Sequence, residues 1–300
     1  MMQEDEGMWD ELREDAEEMS RRAGALLLSY FRKSFVIEHK GAIDLVTDAD
    51  KAAEELIVSL IEEAHPGDSI LGEEGGSRSE GAERRWVIDP LDGTINFAHG
   101  LGHFCVLVAA QVRSSEGVYE TVASATFDPC AGEMFLASRG GGATLNGRAI
   151  AVSSTRRLID AVLATGFGYD RLLRQPDNHA EFCRLSLLTR GVRRFGSAGL
   201  DLAHVACGRF DGYWEYWLNP WDMGAGLLLV EEAGGRTSKL DQCGVIPADG
   251  EVLVTNGHLH DALSSALLSA RTVPANSRTG LGAFLPSELA AKLAALDAAE

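Results

Sequence analysis

Apolar residues recur along the first thirty positions at helical steps. Met8, Leu12, Ala16, Met19, Ala23, Leu26, Leu27 and Tyr30 fall three or four residues apart, the spacing of a long amphipathic helix with one buried face. A second helix is expected after the stretch DLVTDAD (44–50), with Ala53, Leu56, Ile57, Leu60 and Ile61 as its apolar side. Its first turn is acidic, as the helix dipole favours, and His65-Pro66-Gly67 ends it. Ser69, Ile70 and Leu71 read as a short strand running into Gly72-Glu73-Glu74-Gly75-Gly76, and the polar residues 77–84 read as a mobile loop. Trp86, Val87 and Ile88 form the next β-prone run, which Asp89 and Pro90 close. Phe104–Val112 and Tyr119–Phe127 are longer strands, 133–137 and 143–145 shorter ones, and Asn146-Gly147 is a strong hairpin turn. Residues 86–152 are therefore rich in antiparallel strand.

The texture changes near residue 153. Strands are expected at 161–164, 192–195, 212–216 and 252–255, alternating with helices at 177–190, 199–207, 222–233 and 258–270. That alternation is α/β in character. The pattern divides the chain into an α+β half (1–152), an α/β half (153–271) and a turn-rich tail (272–300) with room for a short helix at 286–299.

Composition narrows the function classes. The chain has 300 residues, 45% of them hydrophobic, and a formal net charge of −18. That is enough for a sizeable core, and the charge argues against nucleic acid or an anionic membrane as a partner. An acidic pocket needs cations before it can accept a phosphate. The five cysteines are scattered with no CxxC, which fits a reduced, cytoplasmic protein without a zinc or disulfide framework. No basic-plus-apolar leader opens the chain, and no apolar run reaches the roughly 18 residues of a membrane span.

The most informative stretch is WVIDPLDGTINFAHG (86–100). Two carboxylates three residues apart at a strand end can converge on one point, and Gly93-Thr94 opens onto a helix whose free N–H groups suit an anion. Hard divalent cations take such oxygen ligands. Further acidic positions, Asp44, Asp50, Glu73, Glu74 and Asp222, also sit at element ends. Each taken singly reads equally as a turn residue or a helix cap; their conjunction is what points to a metal site.

These blocks, in this order, resemble the inositol monophosphatase family of Mg²⁺-dependent, lithium-sensitive phosphatases. DLVTDAD (44–50), GEE (72–74), WVIDPLDGTINF (86–97), GSAGLDLAHVACGRFDGYWE (196–215) and PWDMGAG (220–226) carry the resemblance, which covers roughly residues 10–270. It implies a layered αβαβα sandwich of the inositol monophosphatase and fructose-1,6-bisphosphatase type, a homodimer, and two to three Mg²⁺ per site, with Mn²⁺ able to substitute. The implied metal ligands are Glu73, Asp89, the Leu91 carbonyl, Asp92 and Asp222. Glu73, Thr94 and Asp50 are implied as catalytic, with Thr94 holding the attacking water and Asp50 supporting it. Asp92, Gly93, Thr94, Gly196, Ser197, Ala198, Glu215 and Asp222 are implied to bind substrate, a small-molecule phosphate monoester. Asp44 and Thr47 belong to the pattern as supporting residues. The implied reaction is in-line attack on phosphorus by a metal-activated water, without a phospho-enzyme.

Three substrate classes fit this reading. Inositol 1-phosphate, with tolerance for other sugar phosphates, is favoured by DGTINF and by Glu215, seven residues before Asp222. Fructose 1,6-bisphosphate or histidinol phosphate is the alternative within the superfamily. A 3′-phosphoadenosine 5′-phosphate phosphatase fits less well, because those relatives carry Lys-Gly-Phe after DGT where this chain has Ile95-Asn96-Phe97. A regulatory binding protein on the same fold is the alternative from another class. Thr165–Gly168 reads as a pocket loop, Arg193 and Arg194 as a surface or interface pair with reach to a second phosphate as the alternative for one of them, and His99 and His103 as loop histidines rather than ligands. Cys105 and Cys207 lie in apolar runs and read as core.

Overall fold

In a computed structural model the chain is described over residues 2–33, 37–39, 45–78, 81–169, 174–244 and 249–271. Asp44 and the tail lie outside the described residues, as does the side chain of Thr47. In chain order the elements of the first half are α1 (Met2–Tyr30), β1 (Ile37–His39), β2 (Leu45–Thr47), α2 (Asp48–Ala64), β3 (Ser69–Gly72), β4 (Gly76–Arg78), β5 (Arg84–Asp92), α3 (Thr94–Ala98), β6 (Cys105–Arg113), β7 (Tyr119–Asp128), β8 (Glu133–Ser138), β9 (Gly142–Leu145) and β10 (Arg148–Ala149). A 3₁₀ turn at Leu158–Asp160 leads into β11 (Val162–Thr165), α4 (His179–Leu188), β12 (Gly191–Arg193), α5 (Ala198–Ala206), β13 (Gly212–Glu215), α6 (Pro220–Glu232), β14 (Arg236–Ser238), β15 (Val252–Thr255) and α7 (His260–Arg271).

Two large sheets organise these elements. Eight strands run in the order β10-β9-β8-β7-β6-β5-β3-β4, antiparallel except for the β3–β5 pair. Five more run β12-β11-β13-β15-β14, with β11 parallel to both its neighbours. Side chains alternate across each strand, and the alternation sorts them into three apolar layers. Trp86, Ile88, Val106, Val108 and Ala110 face α1 and α2, where Leu12, Ala16, Met19, Ala23, Ile57 and Ile61 meet them. Phe135 and Ala137 on the other face of that sheet join Leu202, Val205, Leu228 and Leu229 of α5 and α6, and Tyr213, Val252 and Val254 of the second sheet. Leu163, Trp214 and Leu253 point outward to Leu185 of α4 and Leu263 and Leu267 of α7. The layers are α1/α2, sheet, α5/α6, sheet, α4/α7: the αβαβα sandwich that the resemblance implies.

Local chemistry explains most of the element ends. Asn146 and Gly147 both adopt positive φ (49° and 74°), as a type I′ hairpin turn requires, and β9 pairs with β10 across them. Pro220 opens α6, where a missing N–H costs nothing. Three expectations change. Met8 is exposed, because the buried stripe of α1 begins at Leu12. Residues 76–78 are not loop: β4 pairs antiparallel with β3. The third change decides the site. β5 does not stop at Asp89 but continues to Asp92 through a register shift. Asp89 lies opposite Leu107 and Asp92 opposite Cys105, so three steps on β5 match two on β6. That one-residue bulge also absorbs Pro90, which has no N–H for the ladder.

The middle-layer helices approach closely where α6 has glycine. A Cβ on Gly226 would lie 2.5 Å from Leu202 Cδ1 and 2.7 Å from its Cβ. We expect Gly226→Ala to lower the unfolding free energy by about 1–3 kcal/mol, the usual cost of overpacking a filled core. The readout is the denaturation midpoint at unchanged slope; a midpoint equal to wild type would show that the two helices do not need this approach.

Candidate active site

The bulge gives the site its geometry. In a regular strand, residues i and i+3 point to opposite faces. The extra residue between Asp89 and Asp92 returns both to the face shared by Leu107 and Cys105, which pack with Leu200 of α5 and Ala225 of α6. Asp89 is held locally, its Oδ1 accepting the Leu91 N–H at 2.9 Å. Asp92 is held from across the layer. Its Oδ2 accepts the Ser197 hydroxyl at 2.7 Å and the Gly199 N–H at 2.7 Å, and its Oδ1 accepts the Ala198 N–H at 3.3 Å. The Cys105 thiol adds a weaker donor at 3.5 Å. The first turn of α5 thus closes on a carboxylate of the first sheet.

Gly93 follows at φ 100°, ψ 35°. A side chain there is excluded twice, by the left-handed backbone and by the His103 carbonyl 3.0 Å from where its Cβ would lie. Thr94 begins α3, and its hydroxyl lies 3.1 Å from both Asp50 Oδ1 and the Leu91 carbonyl. Asp50 is buried in the first turn of α2. Asn96 braces the next turn, its Nδ2 donating to the carbonyls of His103 and Phe195.

Glu73 arrives from the neighbouring parallel strand. Gly72 pairs with Ile88, one residue before Asp89, so the chain leaving β3 passes beside the bulge. Glu54 of α2 pins that turn: its Oε2 accepts the Glu74 N–H at 2.8 Å. The same carboxylate fills the space that a Cβ on Gly72 or Gly75 would need, at 2.6 Å in each case. Asp222 comes from the third position of α6, where its Oδ2 accepts the Asn219 N–H at 2.6 Å.

Glu73, Asp89, Leu91, Asp92, Gly93, Thr94, Gly196, Ser197, Ala198, Glu215 and Asp222 all line one cavity. Asp50 stands behind Thr94. Ser197 and Ala198 serve Asp92 with their donors rather than offering them to the cavity, and Ser197 Oγ also accepts the Leu200 N–H as the N-cap of α5. Glu215, at the end of β13, accepts a hydrogen bond from the Tyr213 hydroxyl. Its carboxylate occupies the space beside Gly166, where a Cβ would collide with both of its oxygens. His99 and His103 do not line the cavity; the His103 ring packs on Phe195 at 4.9 Å. Cys105 is buried as expected and also touches Asp92, while Cys207 is only half-buried.

Three contributors were not legible as site residues. Glu54 reads as an ordinary helical charge, and only the fold places it under the Glu73 turn. Arg194 reads first as half of a surface pair, with nothing to tell it from Arg193, yet it lines the cavity and lowers the proton affinity of Glu215 and Asp201. Asp201 also lines the cavity. A signal for it existed: it is the lone acid within the apolar run of α5.

Electrostatically the site is a concentration of buried negative charge. Burial pushes the Asp89 carboxyl well above its usual range, and Glu73, Asp92 and Asp222 push it further. Asp222 is raised well above the usual range by burial, against the restraint of the Asn219 N–H. Burial also raises Asp92, opposed by its hydrogen bonds from Ser197 and α5. Burial carries Glu215 up to about 7. Among the described residues no three His, Cys, Asp or Glu side chains are drawn into a closed metal-holding cluster. The donor set nonetheless fits hard divalent cations: four carboxylates and a main-chain carbonyl, all oxygen, lining one cavity that no histidine or cysteine lines.

The comparisons with known proteins agree with this geometry. The model of the inositol monophosphatase family matches residues 8–272. An inositol-1-monophosphatase of Synechocystis is 45% identical over 256 residues, covering 85% of this chain and 88% of the relative. A Pseudomonas aeruginosa protein named Nus factor SuhB is 43% identical, covering 83% and 92%. The solved inositol monophosphatase of Anabaena (Nostoc) superposes with a TM-score of 0.79 at 44% identity, covering 88% of this chain and 97% of that one.

The raised carboxylates make a signed prediction for metal-free protein. Glu215 moves from 4.5 to about 7 on folding. Its penalty is therefore absent below pH 4.5, grows through that window and is complete above pH 7, where it amounts to about 3 kcal/mol at roughly 1.4 kcal/mol per unit. His204 and His260, both held down at about 4 by burial, act with the opposite sign over much of the same range. The measurement is therefore the stability difference between Glu215→Gln and wild type, in chelator, against pH. We expect it to be near zero at pH 4.5 and to favour the variant progressively up to pH 8. A difference independent of pH would remove Glu215 from the electrostatic burden.

Proposed function

The chain belongs to the inositol monophosphatase family, and we propose that it is a magnesium-dependent phosphomonoesterase acting on inositol 1-phosphate, with tolerance for other sugar phosphates. The observation that carries this reading is the cavity lined together by Glu73, Asp89, Leu91, Asp92 and Asp222, by Gly93 and Thr94, and by Glu215. The five oxygen donors would hold the cations, Mg²⁺ or Mn²⁺, two to three per site. Bound there, such cations supply the positive charge that a phosphate dianion, its attacking water and its departing alkoxide all require.

The chain's own groups do the rest. The Thr94 hydroxyl donates to Asp50 or to the Leu91 carbonyl, at 3.1 Å each. Its oxygen is then free to accept a hydrogen bond from a water on the phosphate side. When the hydroxyl donates to Asp50, a proton leaving that water can pass to the Thr94 oxygen as the hydroxyl's own proton passes to the Asp50 carboxylate. The N–H groups of Gly93 and Thr94 suit a phosphate oxygen. Glu215 suits a hydroxyl of the departing polyol, and the Tyr213 hydroxyl fixes its orientation. Gly93 gives the backbone the approach that the phosphate needs, since its left-handed conformation turns the chain at that point.

The alternatives differ in what they release. A fructose-1,6-bisphosphatase or histidinol-phosphate phosphatase would use the same residues on another alcohol. A non-catalytic binding role, raised by the name of the Pseudomonas aeruginosa relative, predicts no metal-dependent release of phosphate. Four carboxylates gathered in one cavity favour catalysis. The same reading makes the protein cytoplasmic, lithium-sensitive and homodimeric, the last checked by light scattering. Among the described residues no helix is long and apolar enough to cross a membrane.

The deciding assay is phosphate release from inositol 1-phosphate, fructose 1,6-bisphosphate, histidinol phosphate and 3′-phosphoadenosine 5′-phosphate, each with Mg²⁺, with EDTA and with added Li⁺. Mg²⁺-dependent, Li⁺-inhibited release led by inositol 1-phosphate is expected. Release from none of them would leave only the binding role. Two variants separate charge from scaffold. Asp89→Asn keeps an oxygen for the Leu91 N–H and removes one charge, so kcat/KM should fall by roughly 10²–10³-fold or more with no loss of Tm. Asp92→Asn should lose turnover and stability together, because a carboxamide cannot match the donors that α5 and Ser197 supply. Equal Tm for the two variants would show that Asp92 does not tie the layers.

A further inference from the structure

Asp201 is the acid lining the cavity that the reaction outlined above does not use. It stands one turn into α5, is 2% exposed, and forms part of the cavity wall with Glu215 and Asp92. A carboxylate in the first turn of a helix is ordinarily a cap or a dipole partner. The dipole role needs no hydrogen bond, and the capping role is not open here. Ser197 already caps α5, accepting the Leu200 N–H, and the Ala198 and Gly199 N–H groups are taken by Asp92. Asp201 Oδ1 is buried without a hydrogen-bond partner among the described residues. The groups acting on it are mostly hostile: Glu215 and Asp92 repel its charge, and Arg194 alone among them offsets it. Leaving a carboxylate buried and unsatisfied is costly, so a group with hydrogens to give is what this wall of the cavity lacks.

We propose that Asp201 is a specificity residue that accepts a hydroxyl of a polyhydroxylated leaving group in the cavity it shares with Glu215. The proposal rests on the phosphomonoesterase reading and adds to it a second carboxylate acceptor for the alcohol. Two carboxylates on one wall favour a substrate that presents several O–H donors at once. They disfavour an anionic substituent at that position, which would meet like charge on both sides. An aryl phosphate, whose leaving group has no hydroxyl donors, gains nothing from either carboxylate.

The test compares p-nitrophenyl phosphate with a panel of polyol phosphates headed by inositol 1-phosphate. Wild type is measured first to find the best polyol substrate. The proposal is then read from the ratio of kcat/KM for that substrate to kcat/KM for the aryl phosphate. In Asp201→Ala the ratio should fall about tenfold or more, the scale of one lost hydrogen bond to a charged group. Asp201→Asn keeps an acceptor oxygen and should recover part of the loss. Thermal melts report whether each variant is folded, and Asp201→Ser replaces any that is not. Parallel losses on both substrates, above all with a shifted Mg²⁺ dependence, would make Asp201 part of the metal's surroundings and overturn the proposal. An unchanged ratio would overturn it equally. Wild type that favours no polyol over the aryl phosphate would overturn both the proposal and the inositol reading; a polyol preference with an unmoved ratio overturns only the role of Asp201.

Discussion

The site depends on one extra residue in a strand. Carboxylates three positions apart on a regular strand face opposite layers, one into the α1/α2 core and one into the middle of the sandwich. The bulge between Asp89 and Asp92 cancels that half-turn and delivers both to the same face. Without it, no arrangement of the surrounding helices would unite them. The same irregularity admits Pro90 into a central strand and leads into the left-handed turn at Gly93. Bulge, proline and glycine are thus one structural device rather than three separate features.

The rest of the sandwich brings partners to that device and bears its electrostatic cost. The parallel neighbour β3 delivers Glu73, and the first turns of both middle-layer helices arrive at the cavity, one donating to Asp92 and the other carrying Asp222. The approach is possible because glycine stands where α6 meets Leu202 and where α5 meets Leu107. The gathered carboxylates repel one another in a buried setting, which raises their proton affinity and prepares the cavity for cations. Stability and chemistry are therefore in tension at this point of the fold, as is common where a site is built before its ligands arrive.

Much of this was legible in the sequence, and the limits have physical causes. Long amphipathic stripes such as Leu12 to Leu27 announced themselves by period, and so did the apolar strands at 104–112 and 119–127. The acidic blocks stood out because they interrupt apolar runs at element ends. What escaped was set by tertiary packing. The three-residue strand β4 has too little pattern to separate from loop. Asp89 looked like a strand end because a proline followed it, and only the partner strand reveals that the ladder continues. Glu54 drew no notice in the sequence, since nothing local says that the turn after β3 folds back over it. Arg194 looked like half of an exposed pair, because a single sequence does not say which arginine faces a cavity.

Gly166 and Glu215 occupy a shared volume, since the carboxylate of one fills the space where the other would carry a side chain. Change at these two positions is consequently coupled. A side chain at 166 displaces the Glu215 carboxylate from its present place and from the Tyr213 hydroxyl, whereas shortening the glutamate opens the space and loses the same hydrogen bond. A descendant of this chain that reshaped this corner of the cavity by either substitution would give up that contact before a new one could be gained.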